Sequence, residues 1–272
     1  MTLALSQVTC QRGGRTILIG IDVEIVPGQV LALVGPNGAG KTSALQLLSG
    51  ELEPAAGQAT LDGRPLSGFL PVELAYRRAV LPQLSHTSFG LDVAELVAIG
   101  RSAFRDNDDA ELKIRNHVLD LMGLTRYGAR DVRTLSGGEL QRVHLARVVA
   151  QIWPASDDHE PRYLLLDEPV SNLDPLHQQR VLSWARRLAD RGFGIVITLH
   201  DLNHAASVAN HVVLLADGRI LASGTPADVL TPDIVERAYG IRMVTIDHPV
   251  TGGRVLLPAG FGDDARADGA RT

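Results

Sequence analysis

The chain has one cysteine, Cys10, in 272 residues. No disulfide can close within it, and Cys10 has no companion thiol for a metal site, so a small buried role and a reducing compartment suit it. The chain also lacks any apolar run near the roughly 18 residues that a membrane-spanning helix needs. Its longest runs, such as Val212–Ala216, are strand-sized. Met1–Gln7 has neither the basic region nor the long apolar core of a signal peptide. The expectation is a cytoplasmic protein whose membrane contact is indirect. An excess of basic charge is missing too. The net charge is −5, which argues against binding driven by a nucleic-acid backbone. What the chain does have is 45% hydrophobic residues, enough for the core of one large α/β domain or two small ones.

The stretch Gly35-Pro36-Asn37-Gly38-Ala39-Gly40-Lys41-Thr42-Ser43 reads G-x-x-x-x-G-K-T, a phosphate-binding loop. Val30–Val34 before it is a short apolar run suited to a buried strand. Thr42–Ser49 after it has helical spacing and ends at Gly50, a C-cap residue. Glycines let successive N–H groups curl around a phosphate, and a helix N-terminus adds partial positive charge. In such a loop Lys41 reaches the β- and γ-phosphates and the Thr42 hydroxyl ligates Mg²⁺. A nucleotide and Mg²⁺ are therefore the expected ligands of this loop.

Along the chain, residues 3–9 and 16–26 read as two strands joined at Gly13-Gly14, a small antiparallel sheet beside the nucleotide core. Ala59-Thr60-Leu61 is a short strand, Pro71–Tyr76 one or two helical turns, and Ala79–Gln83 a strand ending in a polar residue. Residues 91–152 carry helical spacing at Val93, Leu96, Val97, Leu112, Val118, Leu119 and Met122, interrupted by the polar break Arg105–Asp109. This predicts about three helices inserted into the α/β core, the last from Gly138 to Trp153. A proline-bounded polar loop, residues 154–161, precedes the strand Tyr163–Leu166. Then come a helix over Leu176–Asp190, a strand over Ile195–Thr198, and a hairpin turning at Asp217-Gly218. Pro226–Leu230 and Pro232–Tyr239 read as short helices, and Arg242–Ile246 with Arg254–Leu257 as a final strand pair. Alternating strands and helices around a phosphate loop mean a parallel central sheet. The expected division is one domain over 1–246 with the helical subdomain at about 84–153, a short extension at 247–261, and a disordered tail at 262–272.

Two further stretches carry chemistry. Asp167-Glu168 closes an apolar strand. Asp167 is placed to hold Mg²⁺, and Glu168 to polarise an attacking water. Ser136 and Glu139 form the pattern S-x-x-E of a capping box before an amphipathic helix. A capping box does not require Gly137-Gly138, whose exposed N–H groups at a helix N-terminus make a second anion site.

With these motifs the chain resembles the nucleotide-binding subunits of ABC transporters over about residues 3–246. Gly35–Thr42 resembles the Walker A loop, Gln83 the Q-loop, and Leu135–Gln141 the signature. Leu164–Glu168 resembles Walker B, Ser171–Asp174 the D-loop, and His200 the switch histidine. The fold implied is an ABC ATPase: a P-loop core with a parallel central sheet, an N-terminal antiparallel β-subdomain and an inserted helical subdomain. The resemblance also implies a head-to-tail dimer. Each ATP then lies on one loop and beneath Ser136, Gly137 and Gly138, with Glu139 and Gln141, of a second copy. Glu168 is the implied base, His200 a contact to the γ-phosphate, Gln83 a sensor beside Mg²⁺, and Asp174 a bridge between subunits. The family usually stacks an aromatic residue on adenine near the N-terminal turn. Arg12 holds that place here, and a guanidinium can stack on a base.

The C-terminal stretch from Ala222 to Gly240 is similar to importers of iron-siderophore, haem and cobalamin. The proline-bounded loop before Tyr163, His248-Pro249 and Gly252-Gly253 narrow the similarity to the haemin importer ATPases. Ferric siderophores and cobalamin remain alternative substrates. The implied partners are a dimeric membrane permease, docking along Gln83–Arg105, and indirectly a periplasmic or surface haem-binding protein. No direct haem binding and no nucleic-acid binding are expected. The place is the cytoplasmic face of the inner membrane. A nucleic-acid-remodelling ABC ATPase, an iron–sulphur assembly scaffold and a P-loop kinase or GTPase are rival readings. The acidic single cassette, the intact Glu168 and His200, and the signature disfavour them.

Overall fold

In the computed structural model, residues 2–83, 90–104, 108–154, 160–250 and 253–260 are described. The chain opens with β1 (Leu3–Arg12) and β2 (Arg15–Ile25), followed by β3 (Val30–Val34) and α1 (Lys41–Ser49). After β4 (Ala56–Leu61), β5 (Arg64–Pro65), α2 (Pro71–Arg77) and β6 (Arg78–Leu81) come three helices: α3 (Val93–Ile99), α4 (Asp108–Leu121) and α5 (Gly137–Ile152). The core resumes with β7 (Tyr163–Leu166), α6 (Pro175–Ala189), β8 (Gly194–Thr198) and α7 (Leu202–Val208). The last elements are β9 (His211–Ala216), β10 (Arg219–Gly224), α8 (Pro226–Val229), α9 (Pro232–Tyr239), β11 (Met243–Asp247) and β12 (Arg254–Pro258).

The central sheet has the order β10-β9-β3-β8-β7-β6. Its strands run parallel except β10, which returns antiparallel to β9 through the turn at Asp217-Gly218. Every residue of β3, β7 and β8 is buried. Side chains of a strand alternate between faces, and here both faces are covered. Val30, Ala32, Val34, Leu164, Leu166, Ile195 and Ile197 enter a core shared with the helices. Leu31, Leu33, Leu165 and Val196 enter a second core shared with α1 and the antiparallel sheet β2-β1-β4-β5. Parallel sheets covered on both faces read as near-continuous apolar runs, which is how these strands look in sequence.

The expected elements are present, with small differences. The expected strand at 59–61 begins at Ala56, and Gln83 lies just beyond β6. The helix α7 has no counterpart in the sequence reading. Asp201 caps it, accepting from the Asn203 and His204 N–H groups. Its short run of Ala, Asn, Ser and His carries too little apolar periodicity to announce a helix. The break at Arg105–Asp109, the loop 154–161, the docking stretch Gln83–Arg105 and the pair Gly252-Gly253 lie in part outside the described residues. The tail 262–272 lies wholly outside them.

The hairpin β11–β12 is tied to the core. Leu256 is buried, and Asn203 makes two hydrogen bonds to its backbone, Nδ2 to O at 3.1 Å and Leu256 N to Oδ1 at 2.9 Å. Replacing Asn203 with Ala removes both. We expect a loss of about 1–3 kcal/mol in urea unfolding, with hydrogen exchange at the Leu256 amide rising to the level of an open strand.

Candidate active site

The C-terminal ends of the parallel strands β3, β8, β7 and β6 carry Gly35–Thr42, His200, Asp167-Glu168 and Gln83 in turn. Ligands of open α/β sheets collect at such ends.

The loop after β3 curls because its glycines reach backbone angles closed to other residues. Gly35, Gly38 and Gly40 have φ of 148°, 80° and 101°. A Cβ on Gly35 would lie 2.1 Å from the Leu215 carbonyl oxygen, and one on Gly40 would lie 2.5 Å from Leu18 Cδ2. Gly40 is the N-cap of α1 and brings no side-chain acceptor, so no side chain caps the first turn. Lys41 is 6% exposed. Its Nζ donates to the Gly35 and Pro36 carbonyls at 2.7 and 3.0 Å. Burial pushes the Lys41 ammonium below its ordinary pKa, while the Glu168 and Asp167 carboxylates oppose the shift. Thr42 Oγ1 lies 3.4 Å from Asp167 Oδ1, and Ser43 is buried on the inner face of α1.

Asp167 is 5% exposed. Glu168 follows with φ of 46°, a left-handed conformation costing a non-glycine residue about 1–2 kcal/mol. Both of its carboxylate oxygens are engaged. Gln83 Nε2 donates to Oε2 at 2.6 Å, and His200 Nε2 lies 2.5 Å from Oε1. Three residues widely separated in sequence thus meet at one carboxylate. The sequence reading missed Thr198. Its hydroxyl lies 2.7 Å from Asp167 Oδ1 and accepts from the Glu168 N–H at 2.7 Å. The available signal was a threonine ending the otherwise apolar strand β8, two residues before His200.

The signature segment sits at the start of α5. Ser136 and Glu139 form the capping box: Glu139 N donates to Ser136 Oγ at 3.3 Å and Ser136 N to Glu139 Oε2 at 2.9 Å. The Ser136 N–H, with help from Tyr127 and Arg130, holds the Glu139 carboxyl below its ordinary pKa. Gln141 Nε2 donates to Pro169 O at 3.0 Å, tying α5 to the turn after Glu168. Gly138 has a reason within the chain, because a Cβ there would lie 2.6 Å from His177 Cδ2. Among the described residues Gly137 has none, since a Cβ would meet nothing within 4 Å.

Asp174 is the N-cap of α6, accepting from His177 N at 2.9 Å and lying 2.9 Å from His177 Nδ1. These contacts hold its carboxyl below the ordinary value. Arg12 ends β1 on the exposed turn, paired in register with Arg15. No cluster of three or more His, Cys, Asp or Glu residues suited to a metal occurs among the described residues.

The family model described as ABC transporter matches residues 18–171. The hemin import ATP-binding protein HmuV of Bordetella pertussis is 44% identical over 261 residues, covering 95% of this chain and all of that protein. The chain belongs to the ABC transporter ATP-binding family. The protein of the same name from Pseudomonas fluorescens is 43% identical, over 94% of this chain and 99% of its own length. Among solved structures, an ABC transporter in an inward-facing conformation superposes with a TM-score of 0.80 at 24% identity, over 95% of this chain and 97% of that one. Part of the ABC transporter complex cbiONQ, cbiO1 of Clostridium perfringens, gives 0.74 at 25% identity, over 86% and 92%. As an ABC transporter ATPase, the chain binds ATP and serves as one subunit of a transporter complex. Among its described residues no helix is long and apolar enough to cross a membrane.

Two glycines of this ABC ATPase separate packing from function. Gly138→Ala displaces the His177 ring, with an expected cost of about 1–3 kcal/mol and disturbance of the Asp174 cap. Gly137→Ala meets open space, and unfolding should shift by no more than about 1 kcal/mol, in the stabilising direction. A fall in ATPase rate in Gly137→Ala at unchanged stability then reports contact with something outside the chain.

Proposed function

We propose that this ATPase drives haemin import. The observation that carries the reading is the match to hemin import ATP-binding proteins along nearly the whole chain, the C-terminal stretch included. Gly35, Pro36, Asn37, Gly38, Ala39, Gly40, Lys41 and Ser43 hold the ATP phosphates, and Arg12 stacks on the base. Thr42, Asp167 and Gln83 would hold Mg²⁺. That donor set suits it, since hydroxyl, carboxylate and amide oxygens are the hard ligands it prefers, and Thr42 Oγ1 already lies 3.4 Å from the buried Asp167 carboxylate. When bound, the ion neutralises charge on the β- and γ-phosphates.

Glu168 takes the proton of the attacking water. Its left-handed turn aims the carboxylate at His200 and Gln83, so phosphate sensing by either residue acts on the base directly. A second copy supplies Ser136, Gly137, Gly138, Glu139 and Gln141, and the open space above Gly137 supports that. Asp174 bridges to that second copy. The cassette spans 1–246, with its helical subdomain at about 84–153 serving the permease and a short extension at 247–261. The site of action is the cytoplasmic face of the inner membrane, under a dimeric permease supplied by a periplasmic or surface haem-binding protein. Substrate choice lies in those partners, and this chain contacts neither haem nor nucleic acid.

Reconstituted vesicles test the reading. ATP-dependent haemin uptake should fall about 10²–10⁴-fold in Glu168→Gln, with ATP binding retained. Uptake that persists in that variant removes Glu168 from its role. ATP-dependent uptake of a ferric siderophore or cobalamin, but not haemin, replaces the substrate.

A further inference from the structure

We infer that Thr198 is a positioning residue for ATP hydrolysis, its hydroxyl joining the metal-binding carboxylate of Asp167 to the backbone of Glu168. The inference rests on the roles proposed above for those two residues. Thr198 is fully buried and ends β8 after Ile195, Val196 and Ile197, all fully buried themselves. A hydroxyl in such surroundings is costly unless it is hydrogen-bonded. Packing alone would accept Val, which has nearly the same shape and favours strands as strongly.

The hydroxyl is fully employed. It accepts from the Glu168 N–H at 2.7 Å, so its own hydrogen is directed at Asp167 Oδ1, also at 2.7 Å. Each bond does separate work. The first holds the Glu168 peptide in its left-handed conformation, an otherwise unfavourable turn that sends the side chain toward Gln83 and His200. The second fixes the rotation of the Asp167 carboxylate, whose Oδ1 also lies 3.4 Å from Thr42 Oγ1. One side chain on β8 therefore sets the relative placement of the metal ligand and the base, which follow each other on β7. A strand neighbour can do this because β7 and β8 are paired in parallel, with Leu166 opposite Ile197. The neighbouring residues Asp167 and Thr198 then stand side by side beyond the last pair.

The test compares Thr198→Ser, Thr198→Val and Thr198→Ala in the full-length chain with its permease, alongside Glu168→Gln. Three quantities are read: the Mg²⁺ concentration giving half-maximal ATPase activity, kcat at saturating Mg²⁺ and ATP, and ATP binding in EDTA. Partners that orient metal ligands are worth about 10–100-fold. Thr198→Val and Thr198→Ala should raise the half-saturating Mg²⁺ concentration and lower kcat by about that factor, with ATP binding in EDTA unchanged. Thr198→Ser keeps the hydroxyl and should stay close to the parent on all three. Folded Thr198→Val or Thr198→Ala protein with the parent's Mg²⁺ dependence and kcat overturns the inference. If neither folds, Thr198→Ser decides alone: impaired Mg²⁺ dependence in that variant overturns it, because only the methyl group has been lost. Loss of activity in Glu168→Gln with an unaffected Thr198→Val contradicts the positioning role but leaves the catalytic reading intact. Full activity in Glu168→Gln contradicts that reading itself.

Discussion

Parallel pairing of buried strands is the constraint on which the rest depends. The register Val30↔Ile195, Leu164↔Ile195 and Ala79↔Leu164 aligns four strands so that their C-terminal ends stop together. Only because they stop together do Thr42, Asp167, Thr198, Glu168, His200 and Gln83 form one connected set of contacts. A one-residue slip would turn every side chain of a strand to the opposite face. Both faces are apolar here, so burial alone does not forbid that slip. The polar contacts at the strand ends add the missing discrimination: Asp167 to Thr198 and Glu168 to His200 form in one register only.

Much of this was legible in the sequence because it is local. The loop Gly35–Thr42 needs particular backbone angles, and only its glycine pattern supplies them, so the pattern announces the conformation. Asp167-Glu168 after four apolar residues announces a strand end in the same way. The capping box at Ser136–Glu139 was legible as well, and its hydrogen bonds form as the pattern requires. Thr198 was not legible, because a threonine in a strand is ordinary and its meaning comes from the neighbouring strand. His177 was hidden for the same reason: its place over Gly138 joins two helices that are remote in sequence. Helix α7 escaped notice because Asp201 starts it by capping rather than by periodicity.

The two glycines of the signature carry different physical meanings, although the sequence presents them as a pair. Gly138 is demanded by the fold, through the His177 ring. Gly137 is demanded by nothing among the described residues of its own chain. A loop that holds phosphates in one subunit, and a helix start left open in the same subunit, are complementary surfaces. Under the proposed function, this asymmetry makes the chain half of a catalytic unit: Lys41 and the glycines would hold ATP, and hydrolysis would need the second copy as a cover over the phosphates.

The dependence of ATPase rate on protein concentration tests this most directly. ATP should already bind in dilute protein, where single chains dominate, and no less tightly once pairs form. The rate per subunit should rise steeply with concentration, or on adding the permease that holds two copies together, and level off once pairs dominate. A rate per subunit that stays constant from dilute to concentrated protein, with and without permease, would contradict the account.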